Sequence, residues 1–435
     1  MAEPVFAALA AALLAPEAPV SAEVADLLGW LGLPRATAGD AAADATVRHR
    51  ARMFQAAAGF ERLFQLEAPD APGMVVFGAE VAPDALAAAP GLGLLGVSGT
   101  GLAPLEALES CIGEGLELLS QVETTADLAQ QLAAPPAGAT ALPAAWRGAG
   151  QAAGAGWMPV RRLRDGATEW VPAGLCFRRP GATPPWPLSI GCAAGPSADA
   201  AALHGLLELI ERDAAALWWR GGRRPRPLAL EHPALAGAAA WLARLRRGHA
   251  GRHSWLLDIT TELGVPTVAA VSVGPEGTGF CCGLAARPGL AAACRAALLE
   301  LCQMELALTV VAAKRAEGGE AALNPRDLSH QARFTGIHAG RCALLHPLGA
   351  PAPPLPEPAT AEPAASLAAL VAGLAARGFD ALLLPLTRPS LGVPVVRVLC
   401  PGLELEPAQT AGPRLAAMIT ETGGGDCLTG GIPLM

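Results

Sequence analysis

Tyrosine is absent from the 435-residue chain, lysine occurs once, at Lys314, and only 4% of the residues are aromatic. One lysine and a formal net charge of −8 argue against a nucleic-acid binder that relies on phosphate contacts. Charged residues are also scarce, 16% against 52% hydrophobic, a balance that excludes disorder for most of the chain. No CxxC pair occurs among the ten cysteines; they read as reduced, buried thiols of a cytoplasmic protein and lack the spacing of a zinc site. The string GxxxxGK[ST] is missing, so there is no P-loop. GxSxG and HExxH are missing as well, which counts against serine hydrolases and zincins. The apolar run in MAEPVFAALAAALLAPEAPVSAE, about a dozen residues, is too short to span a bilayer. It opens with Glu3 and no basic residue, unlike a secretory signal, and reads as an amphipathic or buried helix with no membrane role.

What is present centres on Ser189–Trp219, SIGCAAGPSADAAALHGLLELIERDAAALWW. Gly191-x-Ala193-x-Gly195 leads through a polar turn into a helical pattern with Leu203, Leu206, Leu207, Ile210 and Leu217 on one face. His204, Glu208, Glu211 and Arg212 form a polar stripe on another side. Glu208 and Glu211 lie one turn apart and repel unless a cation or proton is shared.

Upstream, residues 4–14, 22–32 and Asp44–Glu67 read as helices, the third capped by Asp44 and decorated by Arg48, Arg50, Arg52 and Arg62. That basic face is either solvated or a surface for a partner. Strand patterns follow at MVVFGAEV, at 157–162, 168–178, 254–259 and 267–273, and a long helix at Leu290–Ala316. The run PLGAPAPPLPEPATAEP, 347–363, is the clearest linker, and a helix over Ala365–Arg377 should stop at Gly378.

Placing Glu114, Glu208 and Glu300 in register reveals a threefold repetition. Three residues later stand Glu117, Glu211 and Gln303; seven before stand Ala107, Ala201 and Ala293; thirteen before stand Gly101, Gly195 and Arg287. Amphipathic helices in an alanine-rich chain could share such spacing, but the recurring acid-acid or acid-amide pair goes further. Hard oxygen ligands of this kind suit Mg²⁺, which bridges carboxylates to nucleotide phosphates. Phosphoryl transfer also needs cations, for which Arg212, Arg295 and Arg397 are candidates, with Lys314 and Arg315 behind them. Arg212 could instead pair with Glu208 or Asp213. A shorter echo places a Thr ahead of Leu-Gly-Val-Pro in both ITTELGVPTV and LTRPSLGVPVV.

The middle stretch, 189–214, resembles the Ser-Asn-Gly-x-Ala-x-Gly segment and H-G-x-x-E-x-x-E-R-D helix of the YcaO-domain family. GTGLAPLEALESCIGEGLELLS resembles its first acidic helix, RAALLELCQ its Arg-x-x-x-x-Glu-x-x-Gln helix, and PVVRVLCPGLE its late strand and turn. The resemblance implies an α+β, YcaO-like fold of mixed β-sheets flanked by helices, with three related acidic helices around a nucleotide site. It divides the chain into a helical N-terminal extension, 1–72, and a catalytic domain, 73–435, with the Pro-rich linker inside it. ATP and Mg²⁺ are the implied cofactors, used to phosphorylate a peptide backbone amide oxygen. A neighbouring Cys, Ser or Thr side chain then closes an azoline (cyclodehydration), or external sulfide gives a thioamide. Either step serves maturation of ribosomally made peptides such as bacteriocins.

By residue match, Glu114, Glu117, Glu208, Glu211 and Glu300 would hold Mg²⁺, and Ser189, Glu208, Arg212, Arg295, Gln303 and Arg397 would hold ATP. Implied partners are the peptide, a leader-binding ThiF-like or sulfur-delivering TfuA-like protein, and a second copy as homodimer. The chain departs from the family at Ile190, where Asn is usual, and at Leu118 and Met304-Glu305-Leu306, where Arg is usual. It ends Pro433-Leu434-Met435 in place of the Pro-x-Pro-x-Pro of azoline-forming members, which tilts the expectation away from ring formation and leaves thioamidation, or an unassigned amide-activating role, open. A scaffold that binds peptide or partner without turnover is the alternative.

Overall fold

The computed structural model describes residues 3–15, 17–33, 41–137, 156–181, 188–228, 233–351, 362–405 and 411–434. In chain order they form α1 (Glu3–Leu14), α2 (Ala22–Trp30), α3 (Ala41–Ala57), β1 (Arg62–Leu66), β2 (Val75–Val81), β3 (Leu95–Gly101), α4 (Pro104–Ser120) and α5 (Thr125–Gln130). There follow β4 (Trp157–Arg162), β5 (Thr168–Pro172), β6 (Cys192–Ala194), α6 (Ala198–Trp219), α7 (Pro233–Arg246), β7 (His253–Asp258), β8 (Thr267–Val273) and β9 (Cys281–Ala286). The last are α8 (Leu290–Gly318), α9 (Pro325–Gly336), α10 (Pro363–Ala375), β10 (Leu382–Pro385), β11 (Val395–Leu399), α11 (Pro413–Thr422) and α12 (Asp426–Thr429). Interleaved segments build two units: Met1–Glu67, Val75–Leu206 and Asp380–Leu399 form one, and Ala68–Met74, Leu207–Phe379 and Cys400–Met435 the other.

In the first unit β1, β2 and β3 make an antiparallel meander. The helix α4 packs on it because its apolar residues recur at helical spacing: Ala107, Leu108, Cys111, Ile112, Leu116 and Leu119 are all buried. Two glycines of β3 permit the close approach. A Cβ on Gly99 would stand 2.0 Å from the Cys111 nitrogen, and one on Gly101 2.8 Å from the Ala107 nitrogen. The helices α1–α3 share one hydrophobic core with this layer, through Leu9, Leu28 and Phe54. A five-stranded antiparallel sheet, in the order β5-β4-β10-β11-β6, carries a second core around Val171, Cys176 and Val395.

The second unit repeats the first motif: β7, β8 and β9 form another antiparallel meander, followed by α8 lying on β8 and β9. The composition of α8 would allow it to cross a membrane, yet it buries Ala293, Ala297, Leu301 and Cys302 and carries Glu305 inside the core. Trp218, Trp219 and Phe280 fill the rest, with Trp219 stacked on Phe280 at 5.5 Å. Both indole N–H groups are satisfied, on the carbonyls of Leu344 and Ile432.

One expectation changes. The helix expected over Asp44–Glu67 ends at Ala57, and Arg62–Leu66 is a strand. There Arg-Leu-Phe-Gln-Leu has no strict alternation to announce a strand, and pairing with β2 overrides the helical pattern. The Asp44 side chain and most of the Pro-rich run, 352–361, lie outside the described residues. The basic face of α3 is not wholly solvated: Arg50 donates to Glu109, and Arg52 reaches the Gly392 carbonyl. The Leu-Gly-Val-Pro echo has a concrete cause. Thr260 Oγ1 accepts the Thr267 N–H at 2.9 Å, and Thr387 Oγ1 accepts the Val395 N–H at 3.1 Å, closing two similar loops after the proline.

Candidate functional site

The acids singled out by the repetition are held by main-chain donors from neighbouring strands. In the first unit Glu114, on α4, accepts the Ser98 N–H of β3 at 2.9 Å, sixteen residues upstream. In the second unit Glu300, on α8, accepts the Leu284 N–H of β9 at 2.8 Å, again sixteen residues upstream. The second acids behave alike. Glu117 accepts the Ala194 N–H of β6 at 2.8 Å, and Glu211 accepts the Ala286 N–H of β9 at 3.2 Å. Ala194 and Ala286 occupy equivalent places in the repeat, one residue before Gly195 and Arg287. Each such bond fixes one carboxylate oxygen and turns the side chain along the strand end.

Within the second unit two of these acids come close enough to repel. Burial, and after it the charge of Glu211, push the Glu300 carboxyl up to about 7, with Arg212 opposing. Glu211 is itself buried, only 6% exposed. No hydrogen bond from the described residues reaches the other Glu300 oxygen. Arg212 lies 3.5 Å from Glu208 and 3.6 Å from Glu211, so it faces its own helix's acids, while Asp213 is taken by Arg414 at 2.9 Å. Arg295 sits 5.9 Å above the Trp241 ring. Gln303 follows Glu300 by one turn of α8.

Of the expected site residues, Ser189, Glu114, Glu117 and Arg397 belong to the first unit, and Glu208, Glu211, Arg212, Arg295, Glu300 and Gln303 to the second. The structure brings Glu208, Glu211, Arg212 and Glu300 together. Ser189 is exposed, with its carbonyl accepting the Cys192 N–H. Arg397 is wholly buried on β11 and donates to the carbonyls of Cys176 and Ile190. Sequence reasoning passed over Arg178, whose half-buried guanidinium donates to Gln121 Oε1 and feels the charge of Arg397; no motif marks it.

The departures from the resembled pattern also have places. Ile190 is buried and offers its carbonyl to Arg397. Leu118 packs against the first unit's core. Glu305 is buried between Arg246 and Arg252 and accepts the Ser272 hydroxyl as well.

Comparison with known proteins starts with one at 28% identity over 273 residues, an uncharacterised protein encoded in the tfuA 3′ region of Rhizobium leguminosarum bv. trifolii. The match covers 58% of this chain and 61% of that protein, so the chain spans about three fifths of its relative. Among solved structures, a heterocyclase in complex with substrate and cofactor superposes with a TM-score of 0.64 at 20% identity, over 87% of this chain and 55% of the heterocyclase. A YcaO protein from Methanopyrus kandleri, bound with AMPPCP and Mg²⁺, gives 0.60 at 22% identity over 82% of this chain and 89% of that one. These likenesses establish the α+β fold. The family model described as YcaO cyclodehydratase, ATP- and Mg²⁺-binding, matches residues 98–404. That span runs from Ser98, the donor to Glu114, to Glu404 and takes in all the acid pairs, so the chain belongs to the YcaO family, with ATP and Mg²⁺ as its cofactors.

Proposed function

We propose that this protein uses ATP and Mg²⁺ to activate a backbone amide of a ribosomally made peptide by phosphorylating its oxygen. The observation that carries the reading is the repeated acid geometry, in which carboxylates are each held by a strand N–H inside the family-matched span. Mg²⁺ commonly takes one or two carboxylates and completes its shell with phosphate oxygens and water. The donor set fits that habit. Among the described residues no three His, Cys, Asp or Glu side chains could cage an ion, but Glu211 and Glu300 repel with a carboxylate oxygen to spare, which a divalent cation would relieve.

Glu114, Glu117, Glu208, Glu211 and Glu300 are assigned to Mg²⁺. Ser189, Glu208, Arg212, Arg295, Gln303 and Arg397 are assigned to the nucleotide. ATP supplies the phosphoryl group that turns the amide oxygen into a phosphate leaving group. A nucleophile then bonds to the carbonyl carbon, and the C–O bond breaks with release of phosphate. The chain's own residues do the positioning. The strand N–H donors hold the carboxylates in fixed orientations, and Arg212 moderates the negative charge of Glu208 and Glu211 before any ligand arrives.

Between the two nucleophiles, the relative encoded beside tfuA supports sulfide, and with it thioamidation aided by a TfuA-like partner. The heterocyclase likeness supports the azoline alternative, aided by a ThiF-like leader-binding protein. A cytoplasmic protein acting as a homodimer on peptide, with residues 1–72 as an extension to the family domain, completes the reading.

The deciding experiment measures ATP-dependent phosphate release with the peptide and partner present. Glu208→Gln and Glu211→Gln should each lower it by on the order of 10²-fold. A wild-type protein that binds Mg·ATP with no phosphate release would leave the scaffold reading standing. Mass spectrometry of the product separates the chemistries: sulfur for oxygen raises the peptide's mass, and ring closure with loss of water lowers it.

A further inference from the structure

The strand β1 lies at an open edge of the first unit's three-stranded sheet. The order is β1-β2-β3, and among the described residues no strand pairs with the outer side of β1. Such an edge leaves a row of unpaired N–H and C=O groups, which proteins ordinarily blunt with proline, a bulge or a free charge. None of these protects β1. Its five residues pair with β2 without interruption, and none is proline. Its one charge, Arg62, is neutralised by two hydrogen bonds to Glu80, at 2.8 and 2.7 Å. Arg62, Phe64 and Gln65 are all exposed. The edge also lies outside residues 98–404, so the family match gives it no role.

The two faces of this edge differ in chemistry, because successive strand residues point to opposite sides. One side carries Arg62, Phe64 and Leu66. Phe64 is 42% exposed and lies over Gly78, where a Cβ would stand 2.6 Å from its ring. The other side carries Leu63 and Gln65, and the alternation continued one residue past each end adds Glu61 and Glu67. Gln65 lies opposite Phe77, and Trp30 of α2 meets Phe77 edge-on at 6.0 Å while remaining 46% exposed. Trp30 shares its helix face with Asp26 and Glu23. All four acids are exposed, and no ion pair neutralises them among the described residues. One face is thus apolar apart from the closed Arg62–Glu80 pair, and the other joins an open indole to uncompensated negative charge. We propose that β1 accepts an extended peptide segment as a fourth strand, one that alternates basic and apolar side chains. Its main chain pairs with the open edge, its cations meet Trp30 and the acids, and its apolar side chains meet Phe64 and Leu66. The surface does not depend on the amide-activation reading.

The test uses the full chain and the fluorescence anisotropy of a labelled peptide of about ten residues, alternating lysine and valine. It should bind saturably, and more weakly as salt rises. Three control peptides carry glutamate for lysine, the same residues in two blocks, or an N-methyl group on every amide. Each should bind about tenfold more weakly or worse, since charge, alternation and main-chain donors are lost in turn. Glu61→Gln combined with Glu67→Gln, and separately Trp30→Leu, should each weaken binding of the first peptide about tenfold while the far-ultraviolet spectrum stays unchanged. Hydrogen exchange reads the added strand directly: amides within residues 62–66 should slow when the peptide binds. The proposal is overturned if any control peptide binds as well as the first, if both variants bind it undiminished, or if exchange at 62–66 is unaffected. It is also overturned if sedimentation shows a second copy already on this edge that the peptide does not displace.

Discussion

The two meander-and-helix layers, β1–β3 with α4 and β7–β9 with α8, use one local design and treat charge differently. Both tie the first acid of the helix to a strand N–H sixteen residues upstream. In the first layer both acids stand on the same helix, one turn apart. In the second, the acids that interact come from different helices, Glu211 from α6 and Glu300 from α8, and α8 itself carries Gln303 where α4 has Glu117. The second unit also neutralises the charges it buries most deeply, Asp213 with Arg414 and Glu305 with Arg246 and Arg252. The first pairs Arg388 with Asp127 but leaves Arg178 and Arg397 without carboxylates among the described residues. A repeated backbone geometry thus fixes where carboxylates point, while the surrounding side chains decide how much charge waits for a ligand.

The largest expected effect comes from breaking a balanced pair. Asp213 has a fully buried side chain held by two Arg414 nitrogens and the Glu404 N–H. Burial pushes its carboxyl up, and Arg414 pulls it back. Removing the cation in Arg414→Met should cost about 3–5 kcal/mol of unfolding free energy, because a buried charge loses its partner. Urea denaturation measures this. A loss near zero would mean that Asp213 does not depend on Arg414, and the contrast with Arg178 and Arg397 would lose its basis.

Next comes the shared design itself. A Cβ on Gly283 would stand 2.1 Å from the Leu301 nitrogen and 2.3 Å from the Ala297 oxygen; one on Gly99 would stand 2.0 Å from the Cys111 nitrogen. These neighbours are backbone atoms and cannot turn aside as a side chain would. Gly283→Ala and Gly99→Ala should each destabilise the protein by about 1–3 kcal/mol. Equal losses in thermal melting support equivalent layers. A tolerated alanine in one of them would break the equivalence.

Much of this was legible in the sequence because helix periodicity and the acid repeat are local signals. Glu114, Glu208 and Glu300 could be set in register from spacing alone, and the family resemblance followed from residues near them. The strand β1 was not legible, since Arg62–Leu66 lacks strict alternation, continues a helical pattern, and only pairing with β2 decides the outcome. Arg178 was missed for a related reason: it feels the charge of Arg397 across 219 positions of sequence, an interaction that no spacing rule encodes. Arg212 was seen, but whether it served phosphate or its own helix's acids depended on rotamers, and the fold turns it toward Glu208 and Glu211.

An effect of similar size, but dependent on pH, concerns the cross-helix acid pair. Glu300 titrates at about 7 in the folded chain, because burial and the charge of Glu211 disfavour its ionised form; in the unfolded chain an ordinary glutamate titrates at about 4.3. Between those values the native state holds a proton that the unfolded state has released. Stability therefore falls as pH rises through this window and stays low above it. Glu300→Gln removes the titration and can keep the acceptor bond to the Leu284 N–H. Above pH 7 the variant should exceed the wild type by on the order of 1–3 kcal/mol, and its stability should be flatter across the window. Mg²⁺ with AMPPCP should shrink that advantage by stabilising only the wild type to a comparable extent, since a ligand that binds the ionised pair draws the native state toward itself. Urea titrations at pH 5 and pH 8, with and without the metal and nucleotide analogue, read both terms. A variant no more stable than wild type at pH 8 would mean that Glu211 and Glu300 are not held in mutual repulsion, and the second unit would then treat its acids no differently from the first.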